Sequence, residues 1–248
     1  MISKMLELAH TDAAVFPPTI LYNEGWMLRI LLSLQSEGKR GLPFTFLPGA
    51  RWFSEALIDS PFLHRMRGDP LAEGLTHLDG AIGHFDIRDG TKAGLVLRAD
   101  SKQFVAIEAK MFSTLSKGTT NAPDYDQAAR TVACIAWTIK QSNRTIEDFE
   151  SLGFYVIAPH VQITSQTFSV QTNKHSIREK VERRINAYSG DYEKQSKMKV
   201  WHDDFFIPTL ERIDIRCVPW ETVMEKIGDP AIRKFYSRCL EFSMQPRS

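Results

Sequence analysis

The run Phe104-Val105-Ala106-Ile107-Glu108-Ala109-Lys110 decides how this 248-residue chain is read. Four apolar or β-favouring residues lead into a carboxylate and an ammonium set two positions apart. Side chains alternate faces along a strand, so Glu108 and Lys110 share a face with Phe104 and Ala106. The unbroken apolar run predicts a central strand buried on both sides. Burying an unpaired charge there is expensive, and burying two calls for a compensating partner such as a metal ion. The plain structural alternative is a surface strand end carrying a solvated ion pair.

Glu-x-Lys alone carries little weight. With 15 Glu and 14 Lys in the chain, composition yields about one match by chance. A second match does occur, at Glu37-Gly38-Lys39. It lies in Ser36-Glu37-Gly38-Lys39-Arg40-Gly41, which reads as a helix end and loop. Only residues 108–110 close an apolar strand-like run.

Upstream, Thr76-His77-Leu78-Asp79-Gly80-Ala81-Ile82-Gly83 places an aspartate among small and apolar residues. From there the spacing predicts a meander: a strand over about 78–88, a turn at Asp89-Gly90, a strand from Gly94 to Arg98, and a turn at 100–102 into the third. Sequential strands usually lie side by side, which lets Asp79 approach Glu108. Asp79 also suits a turn before Gly80. Asp86, on a strand, and Asp100, in a turn, are rival acids.

Asp79 with Glu108 and Lys110 resembles the Asp…Glu-x-Lys site of the PD-(D/E)XK nuclease superfamily, the restriction-endonuclease-like fold. The resemblance is one of motif and order, and covers roughly residues 20–160. It implies an α/β protein: a mixed central sheet flanked by helices with an αβββαβ core, and residues 161–248 as an elaboration of a single domain. The implied activity is Mg²⁺-dependent hydrolysis of nucleic-acid phosphodiesters, DNA before RNA and endonuclease before exonuclease. Mn²⁺ can substitute for Mg²⁺. Asp79, Glu108 and the carbonyl of Ala109 would hold the cation, and Lys110 would act on the attacking water and on transition-state charge. Many members carry a glutamine near the start of the following helix, a place that Gln127 fills. Gln127 also stands in capping-box spacing from Asp124. Some branches add an acid on the first core helix, here Glu24, which equally suits the helix dipole after an Asn23 cap. A protein of the same fold that has lost catalysis and serves as a binding or scaffold subunit is the alternative from another class.

Composition fits a soluble globular protein: 43% hydrophobic, 25% charged, net charge +1. No apolar stretch reaches the ~18 residues of a membrane span, and the first ten residues lack the core of a signal peptide. Cys134, Cys217 and Cys239 have no metal-ligand spacing, and a reducing cytoplasm is the expectation. A homodimer is compatible with the sequence. Helices are predicted near 23–36, 51–58, 124–141 and 175–188, with strands at 154–158 and 213–218. Residues 173–199 hold eight Lys and Arg against four acids. Arg178, Arg183 and Arg184 on that segment are candidate phosphate contacts, or a solvated face balanced by Glu179 and Glu182. Lys117, with Ser116, Thr119 and Thr120, lies in the loop that follows Lys110 and suits the same task. No Walker loop, zinc array or Gly-x-Ser-x-Gly elbow is present.

Overall fold

The computed structural model describes residues 17–63, 69, 71–118 and 122–243. Thr119, Thr120 and the amino-terminal residues discussed above lie outside that range.

After a short helical turn, helix α1 (Glu24–Ser36) begins at Asn23, whose side chain accepts from the Trp26 amide at 3.0 Å. Strands β1 (Arg51–Ile58) and β2 (Thr76–Gly83) follow, then a two-stranded hairpin of β3 (Phe85–Ile87) and β4 (Leu95–Leu97), and strand β5 (Gln103–Ala109). The main elements that follow are helix α2 (Gln127–Gln141), strand β6 (Ser151–Ala158), helices α3 (Lys174–Asn186) and α4 (Tyr192–Trp201), strand β7 (Asp214–Pro219), and helices α5 (Trp220–Ile227) and α6 (Pro230–Ser243). The central sheet has the order β1-β2-β5-β6-β7. Its first two pairings are antiparallel and its last two parallel, so β5 lies at the seam between the two halves. The class is α/β with a mixed five-stranded sheet.

All seven residues of β5 are buried, as a two-faced central strand requires. Phe104 and Ala106 pack with α2 and α3, whereas Val105, Ile107 and Ala109 pack with α1, α5 and α6. No described helix is long and apolar enough to cross a membrane.

Two sequence expectations are corrected. Residues 51–58 form strand β1, not a helix. Ser54-Glu55-Ala56-Leu57 favours helix locally, but the segment pairs along its length with β2, from Arg51–Gly83 to Ile58–Thr76, and tertiary pairing overrides such weak preferences. The continuous meander also fails. Residues 78–88 break at Gly83 and His84, and the β3–β4 hairpin peels away into its own sheet. Gly83 has φ 151°, and a Cβ there would lie 2.0 Å from the Gln103 carbonyl oxygen. Only glycine permits that approach. In consequence β2 pairs directly with β5.

Candidate active site

The direct β2–β5 pairing brings the acids together. Gly80 faces Ile107 in the antiparallel register, and continuing it by one residue sets Asp79 against Glu108. Strand alternation is broken at this point. Leu78 and Ala81 both pack in the core under α2. Across from Asp79, between the partners Ser54–Gly80 and Ala56–Leu78, Glu55 adopts φ 57°. Asp79 Oδ2 accepts the Ala109 amide at 2.8 Å, so the carboxylate takes over where the backbone ladder between these strands ends.

Lys110 is fixed by its backbone. Its amide donates to the Ile157 carbonyl at 2.8 Å, and its carbonyl accepts the buried indole N–H of Trp220 at 2.8 Å. The ammonium lies 3.4 Å from Glu108 Oε2 and 4.0 Å from Asp79 Oδ2. Gln127 closes the group: its Nε2 donates to Glu108 Oε2 at 2.5 Å, and its Oε1 accepts the Ser116 amide at 2.9 Å. The capping-box reading of Gln127 is thereby set aside. Asp126, not Asp124, caps α2 by accepting from the Ala129 amide, which leaves the Gln127 side chain free to reach back to the strand.

Glu108 is 1% exposed, and its Oε1 has no hydrogen-bond partner. Burial, and then the charge of Asp79, push its carboxyl up to about 8, while Lys110 opposes the rise. A buried carboxyl with an orphaned oxygen, beside a second carboxylate, is a donor set that fits a hard divalent cation. No group of three or more His, Cys, Asp or Glu among the described residues could hold a metal. The remaining positions at Asp79 and Glu108 would fall to the Ala109 carbonyl and to water, the sparse protein coordination that Mg²⁺ accepts.

This arrangement makes the charge on Asp79 testable. Asp79→Asn keeps an acceptor for the Ala109 amide and removes the negative charge. Glu108 should then titrate clearly below 8 in the metal-free protein, as read by carboxyl ¹³C NMR. An unchanged titration would mean that burial alone sets it.

The structure does not bring every candidate to the site. Glu24 heads α1 against the opposite face of the sheet; its charge bears on the Cys239 thiol, and it shares no ion pair or hydrogen bond with Asp79, Glu108 or Lys110. Asp86 pairs with Arg51 at 3.0 Å and Asp100 with Arg98 at 2.6 Å, both on the surface. The second Glu-x-Lys match ends α1 at Glu37, with Lys39 3.5 Å from Asp229.

Among the basic residues, Lys117 and Arg183 are exposed, and Arg178 is ion-paired with Glu182 at 2.8 Å. Arg184 is a correction. It is buried, donates to the Leu71 carbonyl, and lies against the rings of Phe62, Tyr125 and Tyr188. Helical spacing turns it inward with Ile177, Val181 and Ile185. Arg184→Ala should therefore cost roughly 2–4 kcal/mol of stability through the lost cation–π contacts and packing. Arg183→Ala should leave the melting temperature unchanged. Thermal unfolding of both variants checks this, and equal melting temperatures would refute it.

Trp220 escaped the sequence reading, and Ser116, read there as a phosphate contact, instead holds the Gln127 side chain through its amide. Trp220 lies 110 positions from Lys110 along the chain, and no local pattern links the two. Compared with protein-family models, curated proteins and solved structures, the chain matches none.

Proposed function

We propose that the protein is a divalent-metal-dependent nuclease with a restriction-endonuclease-like core, acting on DNA. The observation that carries this reading is the convergence of Asp79, Glu108, Lys110 and Gln127 at the end of a buried strand. The element order supports it: α1, β1, β2, β5, α2 and β6 give αβββαβ once the β3–β4 hairpin is taken as an insertion.

Asp79, Glu108 and the Ala109 carbonyl would hold Mg²⁺. When bound, the ion supplies Lewis acidity at a phosphodiester oxygen and lowers the pKa of a coordinated water. The chain's own groups do the rest. Lys110, held rigid by Ile157 and Trp220, presents a positive charge to the oxygen on which negative charge grows. Gln127 fixes the Glu108 carboxylate in one orientation and ties it to the Ser116 loop. Lys117 and Arg183, both exposed, would meet phosphates away from the scissile bond.

The test is incubation of the purified protein with supercoiled plasmid, single-stranded DNA and RNA, with Mg²⁺, Mn²⁺ or EDTA. Metal-dependent nicking of DNA is expected. Binding without cleavage under any metal would favour a scaffold that has lost its chemistry.

A further inference from the structure

A second cluster lies away from the sheet, where α4 runs into one π-helical turn, His202–Phe206. Such turns recur at functional sites. His202 is 8% exposed and lies against the Phe206 ring. Its Nδ1 lies 2.7 Å from Asp203 Oδ1. A carboxylate only accepts, so Nδ1 donates to Asp203 and Nε2 is the ring nitrogen left to meet another partner. That nitrogen is buried and has no hydrogen-bond partner. It lies 3.7 Å from Glu182 Oε1 on α3, too far for a hydrogen bond. Two acceptors facing each other across such a gap leave room for a cation, whether a proton or a metal ion, between them. Imidazole nitrogen with a carboxylate oxygen, the ring oriented from behind by a second carboxylate, is a zinc-type donor set.

The geometry points to a binding site for one borderline divalent transition-metal ion, zinc being the best fit, with His202 and Glu182 as ligands and Asp203 orienting the ring. Ligand distances near ~2.1 Å on both sides span the gap. Asn186, one turn beyond Glu182, lines the same pocket and can add its amide oxygen. Arg178, which donates to Glu182 Oε1, and the Lys199 ammonium at the pocket rim are the opposing charges. Both belong to long exposed side chains that can swing away. The donor set is softer than that of Asp79 and Glu108 and selects against Mg²⁺.

Zn²⁺ binding to the full chain at pH 7.5 tests the site by equilibrium dialysis, in an Asp79→Asn, Glu108→Gln background with excess Mg²⁺. The background removes the other carboxylate pair, and the readout needs no cleavage activity. One retained Zn²⁺ per chain is expected. Asp203→Asn should weaken it 10–100-fold, and Glu182→Gln at least tenfold. Both are surface changes that leave the buried ring in place. Co²⁺ should give the visible spectrum of a nitrogen-ligated ion. Absence of Zn²⁺ binding, or binding indifferent to both substitutions, would overturn the site and leave a proton to fill the gap.

Discussion

Lys110→Ala is expected to lower DNA hydrolysis on the order of 10²–10³-fold while leaving DNA affinity nearly unchanged. The ammonium is the one cation within 4.0 Å of both acids among the described residues. Its loss removes a preorganised contact to charge that develops only in the transition state. The loss should therefore appear in kcat and not in KM. A second signature accompanies it. Lys110 opposes the rise of the Glu108 carboxyl, so the variant's residual activity should need a higher pH. Nicking rates across pH 6–10, beside a binding titration, decide the matter. Undiminished cleavage would reduce the Glu-x-Lys match to the chance one that composition allows.

Glu108→Gln is expected to abolish cleavage and to stabilise the metal-free fold. The rise of the Glu108 carboxyl from 4.5 to about 8 corresponds to roughly 4–5 kcal/mol of preference for its neutral form. A carboxyl raised in the folded state binds more protons there than in the unfolded chain. Its contribution is intact below about pH 4.5, falls through the interval to about 8, and is fully lost above it. Glutamine removes the penalty and still accepts from Gln127. The forfeited attraction to Lys110 returns part of the gain, leaving a net stabilisation on the order of 1–3 kcal/mol at pH 8. The melting temperature should rise by roughly 3–10 °C at pH 8 and hardly move at pH 4. Destabilisation at pH 8 would show that Glu108 is held ionised by its neighbours.

The sequence reading succeeded where local pattern and tertiary environment agree. Phe104 to Ile107 read as a buried strand, as it is, and the charges at its end therefore stood out. Asp79 was legible from its apolar company, although its route to Glu108 was not: the outcome depended on Gly83 letting the β3–β4 hairpin leave the sheet. Strand β1 was misread because a solvent-edge strand with four half-buried residues lacks a clean period of two. Gln127 was ambiguous because capping spacing and a site role use the same offset, and Asp126 resolved it by taking the cap. Arg184 shows the limit of charge counting. A basic stretch on a helix reads as a surface until the aromatic rings that enclose one of its members are located. Trp220 had no signal at all, because its contact with Lys110 spans 110 positions of the chain.

The seam position of β5 has a consequence for synthesis on the ribosome. Once residues 51–109 have emerged, β1, β2 and β5 can pair, but β5 then presents an open edge of seven core residues. Its cover, β6, follows only after the loop and α2 are made, a few seconds later at ~5–20 residues per second. Such an edge invites pairing with another nascent chain. Glu108 and Lys110 stand at its end as full charges while water still reaches them, and flanking charges are what keep exposed strands from stacking. The two residues that are costly to bury in the finished protein thus protect the strand before it is finished.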